Sequence, residues 1–159
     1  MRVGVGFDMH AFAEDRTLVL GGVTIPCERG LSGHSDADVL VHALMDAILG
    51  AMRAGDIGEL FPDTDPAFEG ASSIELLRRV ASAMHDGGWS LVDADCVVVL
   101  EQPKIAQYRD QMRSAIASAL AVAQTSIGVK ATTTEGLDAI GRGDGAAAYA
   151  VVLLERARA

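Results

Sequence analysis

The chain has 159 residues, 50% of them hydrophobic but only 4% aromatic, with a formal net charge of −9. That length suits one domain whose core is built from Val, Leu, Ile and Ala and needs no disulfide to fold. The acidic balance excludes a general nucleic-acid binder, which needs a basic face, and no apolar run is long enough to span a membrane.

No signal-peptide segment precedes Asp8, and Cys27 and Cys96 sit in no close motif, so a reduced, cytoplasmic setting is expected. Arg2 to His10 alternates in part and reads as a strand, with Val5 and Phe7 turned toward a core and Asp8 and His10 toward the other face. Leu18–Leu20 and Val23–Ile25 flank Gly21-Gly22, the signature of a hairpin. A Gly- and Ser-containing loop follows from Glu28 to His34, and Ser35 or Asp36 then caps a helix running to about Met52. Gly55 to Phe68 is dense in Gly, Asp and Pro and reads as loop with at most one helical turn. Ser72 or Ser73 caps a second helix with a stripe of Ile74, Leu77, Val80, Ala81 and Met84, ended by Gly87-Gly88. Asp95 to Leu100 is an apolar strand broken by Pro103, and a third helix runs from about Tyr108 to Ala123. Ile127 to Ala131 and Ala146 to Leu154 are the last strands. The order predicts a single α/β domain over residues 1–159, with a mixed β-sheet covered by helices. Neither a Rossmann fingerprint nor a Walker A motif is present.

Three of the four histidines lie near acidic residues. Asp8 and His10 share a strand face, and His42 follows Asp38 by one helical turn. Asp8, His10 and His42 together form a three-ligand set with one open position, the pattern of a catalytic zinc site, and Asp46 is placed to orient His42. Asp56, Ile57 and Gly58, with Phe61, Pro62, Asp63, Thr64 and Asp65, make an acidic loop suited to a polyol or a divalent cation. Thr132, Thr133 and Thr134 follow a short strand and suit phosphate oxygens, with Glu135 placed to hold Mg²⁺ between two phosphates. Arg142 between Gly141 and Gly143 suits a phosphate or a surface turn.

Gly6-Phe7-Asp8-Met9-His10, His34-Ser35-Asp36-Ala37-Asp38-Val39, His42-Ala43, Gly55 to Gly58, Phe61 to Pro66 and Lys130 to Glu135 resemble, in order and spacing, the 2-C-methyl-D-erythritol 2,4-cyclodiphosphate synthase family over essentially the whole chain. The resemblance implies a homotrimer with sites between subunits, Zn²⁺ on Asp8, His10 and His42, and Mg²⁺ or Mn²⁺ on Glu135 and the substrate diphosphate. It implies the substrate 4-diphosphocytidyl-2-C-methyl-D-erythritol 2-phosphate, whose 2-phosphate attacks the β-phosphorus and expels CMP in the non-mevalonate route to isoprenoids. His34 with Ser35, and Thr133, are then expected to stabilise the transition state, with His34 and Thr133 as the catalytic pair. The methylerythritol hydroxyls are expected at Asp56, Ile57 and Gly58, with Phe61 to Asp65 continuing that wall. Leu100, Pro103, Lys104 and Ala106, with Ala131 and Thr132, are expected to form the cytidine pocket.

Leu137-Asp138-Ala139 stands where members commonly read Leu-Gly-Phe, and Tyr149 where some carry a Glu near the trimer axis. The residues alone also fit a zinc-dependent hydrolase that uses water as nucleophile, or a non-catalytic trimeric nucleotide binder.

Overall fold

The structure is a computed structural model in which residues 1–156 are described. Five strands form one mixed sheet in the order β4-β1-β7-β5-β6, from Gly30–Leu31 (β4), Arg2–Ala13 (β1), Gly145–Arg156 (β7), Trp89–Val99 (β5) and Ile127–Thr132 (β6). β1 and β5 both run antiparallel to β7, and β6 pairs with β5 in parallel. Leu18–Leu20 (β2) and Val23–Ile25 (β3) form the expected hairpin. The helices α1 (Val39–Met52), α3 (Ser73–Asp86) and α4 (Arg109–Leu120) are joined by short turns, α2 (Ile57–Leu60) and α5 (Asp138–Gly141). The single α/β domain with a mixed sheet is therefore as expected.

The packing of β1 is the reverse of the expectation. Val3, Val5, Phe7 and Met9 are exposed, and Gly4, Gly6, Asp8 and His10 face the helices. The reason lies in the glycines: a Cβ on Gly6 would stand 1.9 Å from the Ala43 carbonyl oxygen, and one on Gly4 the same distance from that of Ala47. Bare backbone there lets α1 lie directly on the strand, against Ala43, Ala47 and Ala51 on its own side and Ala146, Ala148 and Ala150 from β7. This close contact brings His42 on α1 to Asp8 and His10 on β1. The large helices thus cover one face only. On the other, among the described residues, only α5 packs at one end, where Ile140 meets Val99 and Ala147.

Element boundaries differ in three places. The first helix is capped not by Ser35 or Asp36 but by Asp38, whose side chain accepts from Val41 N–H. β5 starts at Trp89 rather than Asp95, because Asp93 and Asp95 point to the open face and a register shift at Leu91/Asp93 breaks the apolar alternation. α4 ends at Leu120 rather than Ala123, because Ala121 takes a left-handed φ of 55°. Among the described residues no helix is long and apolar enough to cross a membrane.

Candidate active site

Asp8 and His10 occupy alternate positions of β1, and His42 lies on the first turns of α1. His10 Nε2 and His42 Nδ1 stand 2.9 and 3.0 Å from Asp8 Oδ2, and 3.3 Å from each other. A tetrahedral zinc centre with bonds of about 2.0–2.1 Å has ligand-to-ligand edges of about 3.3 Å, so this triangle already has nearly the right size. The donor chemistry fits as well, with two imidazoles and one carboxylate. Burial works to raise the Asp8 carboxyl, but the close approach of the two histidines, His10 first, outweighs it and holds the group well below the usual carboxylate range. His10 is raised, first by its hydrogen bond to Asp8, with burial opposing and the Ser32 backbone adding to the rise.

The residue expected to orient His42 does not do so. Asp46 Oδ1 instead accepts from Ile57 N–H at 2.8 Å, which fixes the start of α2. His42 Nε2 meets two hydroxyls, Ser73 Oγ at 2.9 Å and Ser35 Oγ at 3.1 Å, and Ser73 in turn contacts Asp36. Neither Ser73 nor Asp36 was expected to support His42: both were possible helix caps from the sequence alone, and Ser73 lies 31 residues from His42 along the chain. Arg16 escaped the sequence reading. Its guanidinium donates to the carbonyls of Leu31, Gly33 and Ser35 and shapes the loop that carries His34 and Ser35.

A cleft of about 480 Å³ opens beside the Asp8–His10–His42 cluster. Of the expected substrate residues, His34, Ser35, Ile57, Gly58, Phe61, Pro62 and Asp63 line it. Met45, Phe68 and Leu76 add apolar wall. Asp56, Thr64 and Asp65 are not on its lining. Asp56 caps α2 through Glu59 N–H, and Asp65 caps the turn at Pro66–Phe68 through Ala67 N–H. The His34 ring lies 3.3 Å from the Asp65 carbonyl oxygen, and two backbone bonds join this segment to the loop, Gly70 N–H to His34 and Asp36 N–H to Ala71.

Leu100, Pro103, Lys104, Ala106, Ala131, Thr132 and Thr133 gather elsewhere, with Ile105, around a separate cavity of about 190 Å³. Thr134 and Glu135 lie beside it on a tight turn in which Glu135 has φ 54° and Gly136 φ 77°. Glu101 holds that turn, its Oε1 accepting from Thr134 N–H at 2.9 Å, and Thr133 donates to Glu135 at 2.7 Å. Arg142 belongs to neither cavity. It pairs with Asp144 at 3.2 Å and lines a third groove with Phe12, Arg29 and Glu101. Within one chain the expected site is thus divided between a cluster-bearing cleft and a Thr-lined cavity.

The YgbB family model matches residues 1–155. The 2-C-methyl-D-erythritol 2,4-cyclodiphosphate synthase of Geobacillus kaustophilus is 55% identical over 155 residues, which are 98% of each chain. The bifunctional IspDF of Campylobacter jejuni superposes with a TM-score of 0.94 at 46% identity, over 98% of this chain and 42% of that longer one. IspF of Plasmodium falciparum, solved as a CDP complex, gives a TM-score of 0.86 at 32% identity, over 99% and 97% of the two chains.

Proposed function

The chain belongs to the YgbB family of 2-C-methyl-D-erythritol 2,4-cyclodiphosphate synthases, and on that premise we propose how its own residues serve the reaction. The enzyme converts 4-diphosphocytidyl-2-C-methyl-D-erythritol 2-phosphate to 2-C-methyl-D-erythritol 2,4-cyclodiphosphate and CMP, a step of non-mevalonate isoprenoid synthesis. An oxygen of the 2-phosphate bonds to the β-phosphorus, the bond from that phosphorus to CMP breaks, and CMP leaves with the electron pair. The observation that carries the residue assignment is the convergence of Asp8, His10 and His42 at the wall of the larger cleft.

Zinc on those three side chains would polarise the phosphoryl group under attack. Mg²⁺ or Mn²⁺ on Glu135 would neutralise the other oxygens of the diphosphate. His34 and Ser35, on the cleft wall, donate to phosphoryl oxygens as charge shifts in the transition state, and Thr133 does so from the second cavity. Asp56 and the backbone of Ile57 and Gly58 receive the methylerythritol hydroxyls, and Phe61 to Asp65 continue that wall. Leu100, Pro103, Lys104, Ala106, Ala131 and Thr132 take the cytidine, Thr134 and Arg142 assist with phosphate charge, and Asp8 and His10 contact the phosphoryl group. No base has to remove a tightly held proton, since the attacking phosphate is already ionised. Positioning and charge neutralisation therefore carry the rate. We assign the reaction to the cytoplasm.

The two cavities join when the cleft of one chain meets the Thr-lined cavity of a neighbour in a homotrimer. The apolar side chains left bare on the sheet, among them Val3, Val5 and Val151, support that assembly. A mixing experiment tests it. His42→Ala spoils the cleft and Lys104→Glu the second cavity. Co-refolded, the two inactive variants should regain activity at interfaces that combine an intact cleft with an intact cavity. A mixture that forms mixed trimers but stays as inactive as its parts would contradict a site shared between chains.

A further inference from the structure

Resting on the assignment of Asp8, His10 and His42 to a metal, we propose that Asp36 and Ser73 are positioning residues that lock His42 in its Nε2–H tautomer and keep its Nδ1 lone pair open to the ion. Ser73 is fully buried at the first position of α3. Its Oγ lies against Asp36 Oδ1 and 2.9 Å from His42 Nε2. A carboxylate oxygen only accepts, so the Ser73 hydroxyl donates to Asp36 and its oxygen can only accept from His42. The direction of this chain is held from the backbone, because Ser73 N–H donates to Asp36 Oδ2 at 2.9 Å and Asp38 N–H to Oδ1 at 3.2 Å. The proton of His42 therefore sits on Nε2, and Nδ1 is bare where it meets Asp8 Oδ2 at 3.0 Å and His10 Nε2 at 3.3 Å.

A competing arrangement lies close by. With its proton on Nδ1, His42 would donate to Asp8 across the same 3.0 Å, and Ser35 Oγ, 3.1 Å from Nε2, has a hydroxyl hydrogen to offer the bare nitrogen. Such a ring satisfies itself and closes the cluster to a cation. The Asp36–Ser73 pair opposes it, because the committed Ser73 hydroxyl would then leave two lone pairs facing each other at 2.9 Å with nothing to relieve them, whereas the approach of bare Nδ1 to Asp8 Oδ2 at 3.0 Å is one that a cation, or the His10 Nε2–H at 3.3 Å, relieves. Asp46, at the more obvious helical spacing, has no part in this, since it is engaged with Ile57. Asp36 and Ser73 thus act through His42 and touch no substrate.

The test reads the tautomer directly. Nitrogen-15 correlation spectra of the imidazoles are recorded on the full-length protein at mildly alkaline pH, zinc-loaded and chelator-stripped. In the wild type His42 should carry its proton on Nε2 in both states. Ser73→Ala should shift the stripped protein toward Nδ1–H and weaken zinc roughly 10- to 100-fold in competition with a chromogenic chelator. Asp36→Asn should do the same while preserving shape, because an amide N–H aimed at Ser73 Oγ releases the hydroxyl to donate to His42. Stripped wild type with its proton on Nδ1 would overturn the proposal, as would wild-type zinc affinity in Ser73→Ala. A wild type that binds no zinc would refute the metal assignment, and the stripped-state tautomer would still decide the proposal by itself.

Discussion

Asp38 shows how one buried side chain can hold several elements around a site. It is fully buried and accepts from Gly21 N–H at 2.9 Å, Gly22 N–H at 2.6 Å and Val41 N–H at 3.1 Å. Burial pushes its carboxyl up to about 6, with the Gly22 hydrogen bond pulling against it and Asp36 adding to the rise. Asp38→Asn turns an amide N–H toward backbone N–H groups and should cost about 2–4 kcal/mol in chemical denaturation at fixed protein concentration; an unchanged midpoint would contradict this. His42→Ala should remove tightly bound zinc and lower turnover at least about 100-fold, checked by metal analysis and by rate. Cys96 is buried, and burial pushes its thiol up to about 12, so it stays neutral at any working pH. A thiol reagent at mildly alkaline pH should therefore label exposed Cys27 in the folded protein and Cys96 only after unfolding. At this scale the cluster was legible because Asp8 and His10 share a strand face and His42 is flanked by acids. The support for His42 was not: Ser73 lies 31 residues away in sequence, and only the fold brings it to the ring.

Elements meet most closely where β1 lies under α1. Gly4 and Gly6 have no side chain because the helix carbonyls of Ala47 and Ala43 take the space. Gly6→Ala forces α1 away from β1 and should destabilise the protein by about 1–3 kcal/mol, or more if the helix cannot shift. It should also weaken zinc binding, because the ligands sit on both elements. Full zinc affinity in a folded Gly6→Ala protein would mean the helix–strand contact does not set the ligand geometry. The number and order of the main elements were readable from periodicity and turn residues. The face of β1 was not. Its alternation was visible, but Val5 and Phe7 looked like core and are exposed, because alternation shows that two faces differ without showing which one a helix covers. The early start of β5 was hidden for a related reason, with Asp93 and Asp95 on the open face mimicking a loop.

Across the whole molecule, the sheet presents Val3, Val5, Phe7, Met9, Tyr149 and Val151 on one side, with the Phe7 and Tyr149 rings 4.8 Å apart. A lone chain rarely leaves so continuous an apolar face in water. If the proposed trimer buries this face, Val5→Asp should give smaller species than the wild type in sedimentation and abolish turnover while leaving the zinc ligands of each chain in place. A monomeric wild type with full activity would refute the account of the divided site. The trimer was expected only through the family resemblance, since Ala- and Val-rich strands suit a core and an interface equally well. The central claim is the identity of the nucleophile, and phosphorus NMR tests it most directly, with the purified wild-type protein, 4-diphosphocytidyl-2-C-methyl-D-erythritol 2-phosphate, zinc and Mg²⁺. The account predicts CMP together with a cyclic diphosphate. CMP together with a linear product would mean that water attacks instead, and would contradict it.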